Sequence, residues 1–173
     1  MKKMATYMMA VLVLMTIGCQ DKDKDKDKDK DKDKGEDETE MPIDEFPALY
    51  IRTSWFDDER KYPITTIISS LKELEQYCEL YQGYGSTKLQ DAISAYSDDF
   101  FASNFLVVVM LQEGSGSIRH KVEKMKSNSD IVIYRLLPEA QSADMAMWNI
   151  IMEFSNDHGT RQFHVRLIDK KLY

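Results

Sequence analysis

Residues Asp21 to Lys34 are seven consecutive Asp-Lys pairs, and from Gln20 to Glu40 the chain carries no apolar side chain at all. A stretch with nothing to bury cannot offset the entropy lost on ordering it, so residues 19–45 are expected to form a disordered linker. Its roughly 25 residues would span on the order of 25 to 30 Å as a flexible coil. Whatever folds must therefore fold beyond it. That leaves 128 residues from Phe46 to Tyr173, a length at which one domain hides roughly two-thirds of the surface of its unfolded chain. A single domain over 46–173 is expected.

Before the linker, Lys2 and Lys3 precede an apolar stretch from Met4 to Ile17 that closes on Gly18-Cys19. A charged start, an apolar core and a small residue at the end have the form of a secretory signal over residues 1–18. The apolar stretch has 14 residues, whereas a helix crossing a bilayer needs about 20. Thr16-Ile17-Gly18-Cys19 resembles the lipobox of bacterial lipoproteins, with Thr16 where that pattern usually has an aliphatic residue. The resemblance implies a lipid on Cys19 and a cell membrane or outer envelope location, lipid-anchored and extracytoplasmic. Burial of acyl chains gives about 0.8 kcal/mol per methylene, and two chains anchor stably where one does not. With Cys19 modified, Cys78 is left alone and an intramolecular disulfide is ruled out.

The net charge of -7 is unevenly placed. The Asp-Lys pairs sum to zero, the six carboxylates among residues 36–45 carry -6, and the part from Phe46 onward has 14 basic and 17 acidic side chains. No basic face follows from that balance, and binding to nucleic acid, which requires one, is excluded.

Within 46–173, Ala48 to Trp55 is rich in β-formers and predicts a strand, followed by a short β-branched strand at Ile64 to Ile68. Ser70 and Glu73 form a capping box for a helix in which Leu71, Leu74, Cys78 and Tyr81 share one face, which places Cys78 toward the core. Thr87 and Gln90 open a second helix, with Leu89, Ala92, Ile93 and Tyr96 on one face. Asp98-Asp99 reads as a loop. Phe100 to Leu111 reads as a central strand apolar on both faces. Ile118 to Met125, Ile131 to Leu137, Met147 to Ser155 and Gln162 to Leu172 continue as an expected antiparallel meander. The expected class is α+β: a small single domain with two N-terminal helices packed on a largely antiparallel sheet of about five to six strands.

Sites were sought by chemistry. No pair of ligands has the short spacing of a zinc site, and His158 and His164 lie too far apart to form one, so no metal and no cofactor are expected. Ser115 and Ser117 sit in a glycine turn near His120, but that turn lacks the G-x-S-x-G elbow of a nucleophilic serine. No enzyme is indicated. Strand alternation puts His120 with Ile118 and Val122 on an apolar side, and Trp148 alternates inward with Ile150, Met152 and Phe154. His120, Trp148, Ser115 and Ser117 are therefore the candidate ligand or partner surface.

The run Phe100 to Val109, the turn Gly114-Ser115-Gly116-Ser117-Ile118, Pro138, and Trp148-Asn149-Ile150-Ile151 together resemble the C-terminal domain of the protease complex subunit PrcB family. The resemblance covers residues 99–173, with Gly116-Ser117-Ile118 where the family has Gly-Gly and an aromatic residue. It implies a β-rich extracytoplasmic domain that binds and stabilises an exported protease, and it carries over no catalytic residue. The expected function is thus a membrane-anchored, non-enzymatic protein-binding lipoprotein. The alternative is a small-ligand or substrate-binding lipoprotein using His120 and Trp148.

Overall fold

The computed structural model describes residues 42–54, 59–81 and 87–172. All of them belong to the unit Glu40–Tyr173; the unit Met1–Thr39, with the signal, Cys19 and the Asp-Lys tract, lies outside the described residues, as do Trp55, Gly83 and Gly85. The described residues form strands β1 (Leu49–Ser54), β2 (Ile64–Ile68), β3 (Asn104–Glu113), β4 (Arg119–Val122), β5 (Asp130–Leu137), β6 (Ala146–Ser155) and β7 (His164–Lys171). Three helices accompany them: α1 (Leu71–Leu80), α2 (Thr87–Ile93) and α3 (Asp98–Ser103).

Helix α1 starts where its capping residues dictate. Ser70 is extended and its hydroxyl accepts from the Glu73 amide at 3.2 Å, while Glu73 Oε2 accepts from the amide of Ser69 at 2.7 Å. Leu74, Tyr77, Cys78 and Tyr81 are buried on the sheet-facing side. Burial pushes the Cys78 thiol up to about 11, which keeps it protonated at neutral pH. Ser70→Ala should lower stability by about 1 kcal/mol, read as a shifted denaturation midpoint at unchanged slope.

Helix α3 departs from expectation. Ser97 accepts from the Phe100 amide at 3.4 Å, which makes Asp98 and Asp99 the first turn of a helix and not a loop. Two carboxylates at a helix N-terminus are favoured by the aligned peptide dipoles. The apolar residues Phe100 and Phe101 belong to that helix, stacked edge to face at 5.1 Å, and the strand begins only at Asn104.

The strands form two sheets, in the orders β1-β6-β3-β2 and β4-β5-β7. The first is antiparallel throughout, with Val108 of β3 between Thr66 of β2 and Ile151 of β6. In the second, β4 and β5 are antiparallel but β5 and β7 run parallel. The expected meander is corrected accordingly: β6 leaves its sequence neighbours and inserts between β1 and β3, and β7 returns to β5. The class is α+β, with seven described strands in two sheets in place of five to six in one.

Three layers result. On one face of the four-stranded sheet, Leu106, Val108, Met110, Met147 and Ile151 pack with Leu74, Tyr77, Cys78 and Leu89 of the helices. On the other face, Phe105, Val107, Val109, Leu111, Ile150 and Met152 pack against Val122, Ile131 and Ile133 of the three-stranded sheet. This double burial explains why β3 reads as a continuous apolar run.

Segment 44–46 lies along β4. The amide of Lys124 donates to Asp44 O at 2.6 Å and that of Phe46 to Val122 O at 2.8 Å, with a bridge between Glu45 and Glu123. The expected linker end at residue 45 therefore falls inside an ordered contact. Tyr50 ties the two sheets at the same place, accepting from the Val122 amide at 2.9 Å and donating to Glu45 at 3.3 Å.

Candidate functional site

The second sheet turns one face toward the first, and its side chains there form rows across the strands. Val122 lies opposite Ile133, and Ile133 opposite Leu167; one row further along, His120 lies opposite Arg135, and Arg135 opposite Asp169. Rows in register share a face, so the last row puts three polar groups where apolar ones would be expected. Glu113, the final residue of β3, meets this row from the other sheet.

Arg135 grips Glu113 in a fork, with Nη2 donating to Oε2 at 2.6 Å and Nε to Oε1 at 2.9 Å. Its Nη1 donates to Asp169 Oδ1 at 2.8 Å. An ionised carboxylate only accepts, so Nε2 of His120 carries the proton it donates to Glu113 Oε1 at 2.9 Å. Exposure falls along the row, the side chains of Asp169, Arg135, Glu113 and His120 being 54%, 27%, 1% and 0% accessible. Burial pushes the Glu113 carboxyl upward, but the hydrogen bonds and charges of His120 and Arg135 outweigh it and hold the group below its ordinary value.

His120 stands edge to face against Trp148 at 5.1 Å, and the guanidinium of Arg119 lies 5.6 Å over the indole. His120, Trp148 and Ser115 are all buried. Of the expected ligand or partner surface, His120 on β4 and Trp148 on β6 thus face each other between the two sheets, and Ser115 is enclosed in the turn after β3. The serines do not join the histidine. Ser115 Oγ is 2.8 Å from Ser117 Oγ and 3.0 Å from Ser142 Oγ, and the Ser142 amide donates to Ser117 Oγ at 3.2 Å. These bonds brace the turn after β3 against the loop before β6. Ser117, only partly buried, is the one of the four that reaches the surface.

Gly116 in that turn donates its amide to Asp144 O at 2.6 Å. A Cβ there would overlap the Arg52 and Asp144 side chains, which pair directly beside it. A side chain at this position would have to displace that exposed pair.

A surface depression of about 140 Å³ lies on the other side of the second sheet, lined by Glu123, Lys124, Lys126, Asp130 and Arg166 among others. None of His120, Trp148, Ser115 or Ser117 lines it. Drug-sized ligands occupy about 300 Å³ or more. His158 donates from Nε2 to Asn128 O at 2.7 Å and packs among Phe154 and Phe163, while His164 lies exposed at the start of β7. Among the described residues no three His, Cys, Asp or Glu side chains gather as metal ligands.

Glu113, Arg135 and Asp169 were not singled out from the sequence. A signal exists: Arg135 follows Ile131 and Ile133 at the inward period of β5, and Asp169 follows Val165 and Leu167 likewise in β7. Charges at the inward period of two strands near a histidine with the same orientation point to one another.

What the fold and this row define is a three-layer α+β domain closed at one end by a buried ionic row. Compared with protein-family models, curated proteins and solved structures, the chain matches none of them. The resemblance to the PrcB family rests on the residues quoted for it alone.

Proposed function

We propose that the chain is an extracytoplasmic lipoprotein, anchored in a membrane by lipid on Cys19, whose domain is a non-enzymatic protein-binding module accompanying an exported protease. The observation that carries the binding role is the pattern of sheet edges. Among the described residues β1, β2 and β7 each have a strand partner on one side only, whereas the free side of β4 is covered at its Val122 end by residues 44–46. An open edge is a template for a strand of another protein. β7 carries His164, Arg166, Asp169, Lys170 and Lys171, charges of the kind that discourage self-pairing, while β2 is Ile64-Thr65-Thr66-Ile67-Ile68, without charge. The protease as partner comes from the family resemblance.

The anchor and the partner are tested separately. Cys19→Ala should abolish acyl-lipid labelling and release the protein from membranes; labelling that persists in the variant refutes the anchor. For the partner, a photocrosslinker at exposed Thr65 of β2, in the lipidated protein in its own membranes, should capture the same protein that co-purifies with the wild type. A crosslinker at Glu75 on the exposed side of α1 should not. Recovery of nothing above background from a well-expressed bait overturns the binding role.

A further inference from the structure

We infer that Glu113 is an acid-operated latch: losing its charge releases the three-stranded sheet from the four-stranded one, while the four-stranded sheet and its helices keep their structure. Among the described residues Glu113 is the only buried carboxylate, and it joins strands of both sheets, bonded from β3 to His120 on β4 and to Arg135 on β5. Its side chain is 1% accessible, so no solvent replaces those bonds when they fail. Removing its charge weakens the bonds from His120 and Arg135 to a buried group and leaves Arg135 paired with Asp169 alone, a loss made costly by the burial of Glu113.

The groups that face Glu113 are few. His120 comes from β4 and Arg135 from β5, with Asp169 of β7 reaching it only through Arg135. β6 presents Ala146, opposite Glu113, and Trp148, neither of which titrates. The turn presents Ser115, and the Arg52–Asp144 pair lies beyond it at Gly116. Arg119 is held over Trp148. Glu113 is the group that accepts from two strands of the second sheet, so the opening event is its own protonation. Its folded carboxyl is held below the ordinary 4.5, so its contribution is present above that value and is lost as pH falls through the lower folded one.

The release is local because the two cores are separate. Leu106, Val108, Met147 and Ile151 pack with α1 and α2 on the face away from Glu113. Among the described residues the apolar cluster of the second sheet includes no helix residue and is shared with the first sheet. Such a layer is the natural unit of sub-global opening.

The test is amide hydrogen exchange on the full chain, expressed as protection factors so that the intrinsic pH dependence of exchange cancels. In Glu113→Gln at neutral pH, amides of β5 such as Ile133 should lose protection by roughly a hundredfold or more. Those of Val108 and Ile151, in β3 and β6, should stay within a few-fold of wild type. Titrating the wild type from neutral pH down through the lowered Glu113 titration should give the same selective loss, and it decides the matter if the variant does not fold. Simultaneous loss in both sheets, or unchanged protection of β5 under both conditions, overturns the latch.

Discussion

Arg135→Met is expected to lower the unfolding free energy by about 3 to 5 kcal/mol, because it leaves the buried Glu113 carboxylate without its arginine and bonded to His120 alone. Denaturant unfolding at neutral pH measures it. The informative partner is the double variant Glu113→Leu/Arg135→Met, in which no buried charge is stranded. Replacing both members of a buried pair by apolar groups is often neutral or stabilising, so the double variant should recover most of the loss. If it is as unstable as the single variant, packing of the arginine stem and not charge dominates the row.

At the opposite end of the same interface, Phe105→Ala is expected to cost about 3 to 5 kcal/mol. Phe105 is fully buried and stacks on Phe154 at 5.6 Å, which stacks in turn on Phe46 at 5.4 Å. Arg161 lies 4.3 Å over the Phe105 ring while donating to Ser69 and Asn156, so one guanidinium fastens the crossing from β6 to β7 onto the end of β2. Removing the ring opens a cavity and unseats that fastening together. A shift in denaturation midpoint of less than half the expected size would show that Phe154 and Phe163 collapse into the space.

These two ends show what was legible in the sequence. Each described strand is legible in outline, because alternation and turn residues are local signals, and so is the start of α1 at Ser70; the start of β3 is not, since Phe100 and Phe101 lie in α3. The double burial of β3 was visible in its uninterrupted apolar run. For β6 only the face of Trp148, Ile150, Met152 and Phe154 was read as buried. Its other face also buries Met147, Asn149 and Ile151, with Asn149 taking a hydrogen bond from Tyr77 at 2.6 Å. A polar residue in that pattern suggests solvent until a tyrosine from a helix is placed above it. Strand pairing was not legible, since β5 against β7 in parallel and β6 between β1 and β3 are set by packing between distant segments. His120 was read as inward, but its partners lie on three other strands and its surroundings depended on a second sheet that local pattern does not announce.

The path of β6 has a consequence in time. Leu49 of β1 pairs with Ile151 of β6, and the sheet that β6 completes is separated along the chain by β4 and β5 of the other sheet. Neither layer can close from a leading fragment. A polypeptide threaded N-terminus first through a membrane, as the proposed role requires, presents β1 long before β6 arrives, and non-local pairing of this kind is slow to nucleate. In that proposed role, what crosses is open chain, and the domain assembles in its destination compartment only after nearly all of it has been delivered. The interleaved topology then keeps such a chain transportable until it no longer needs to be.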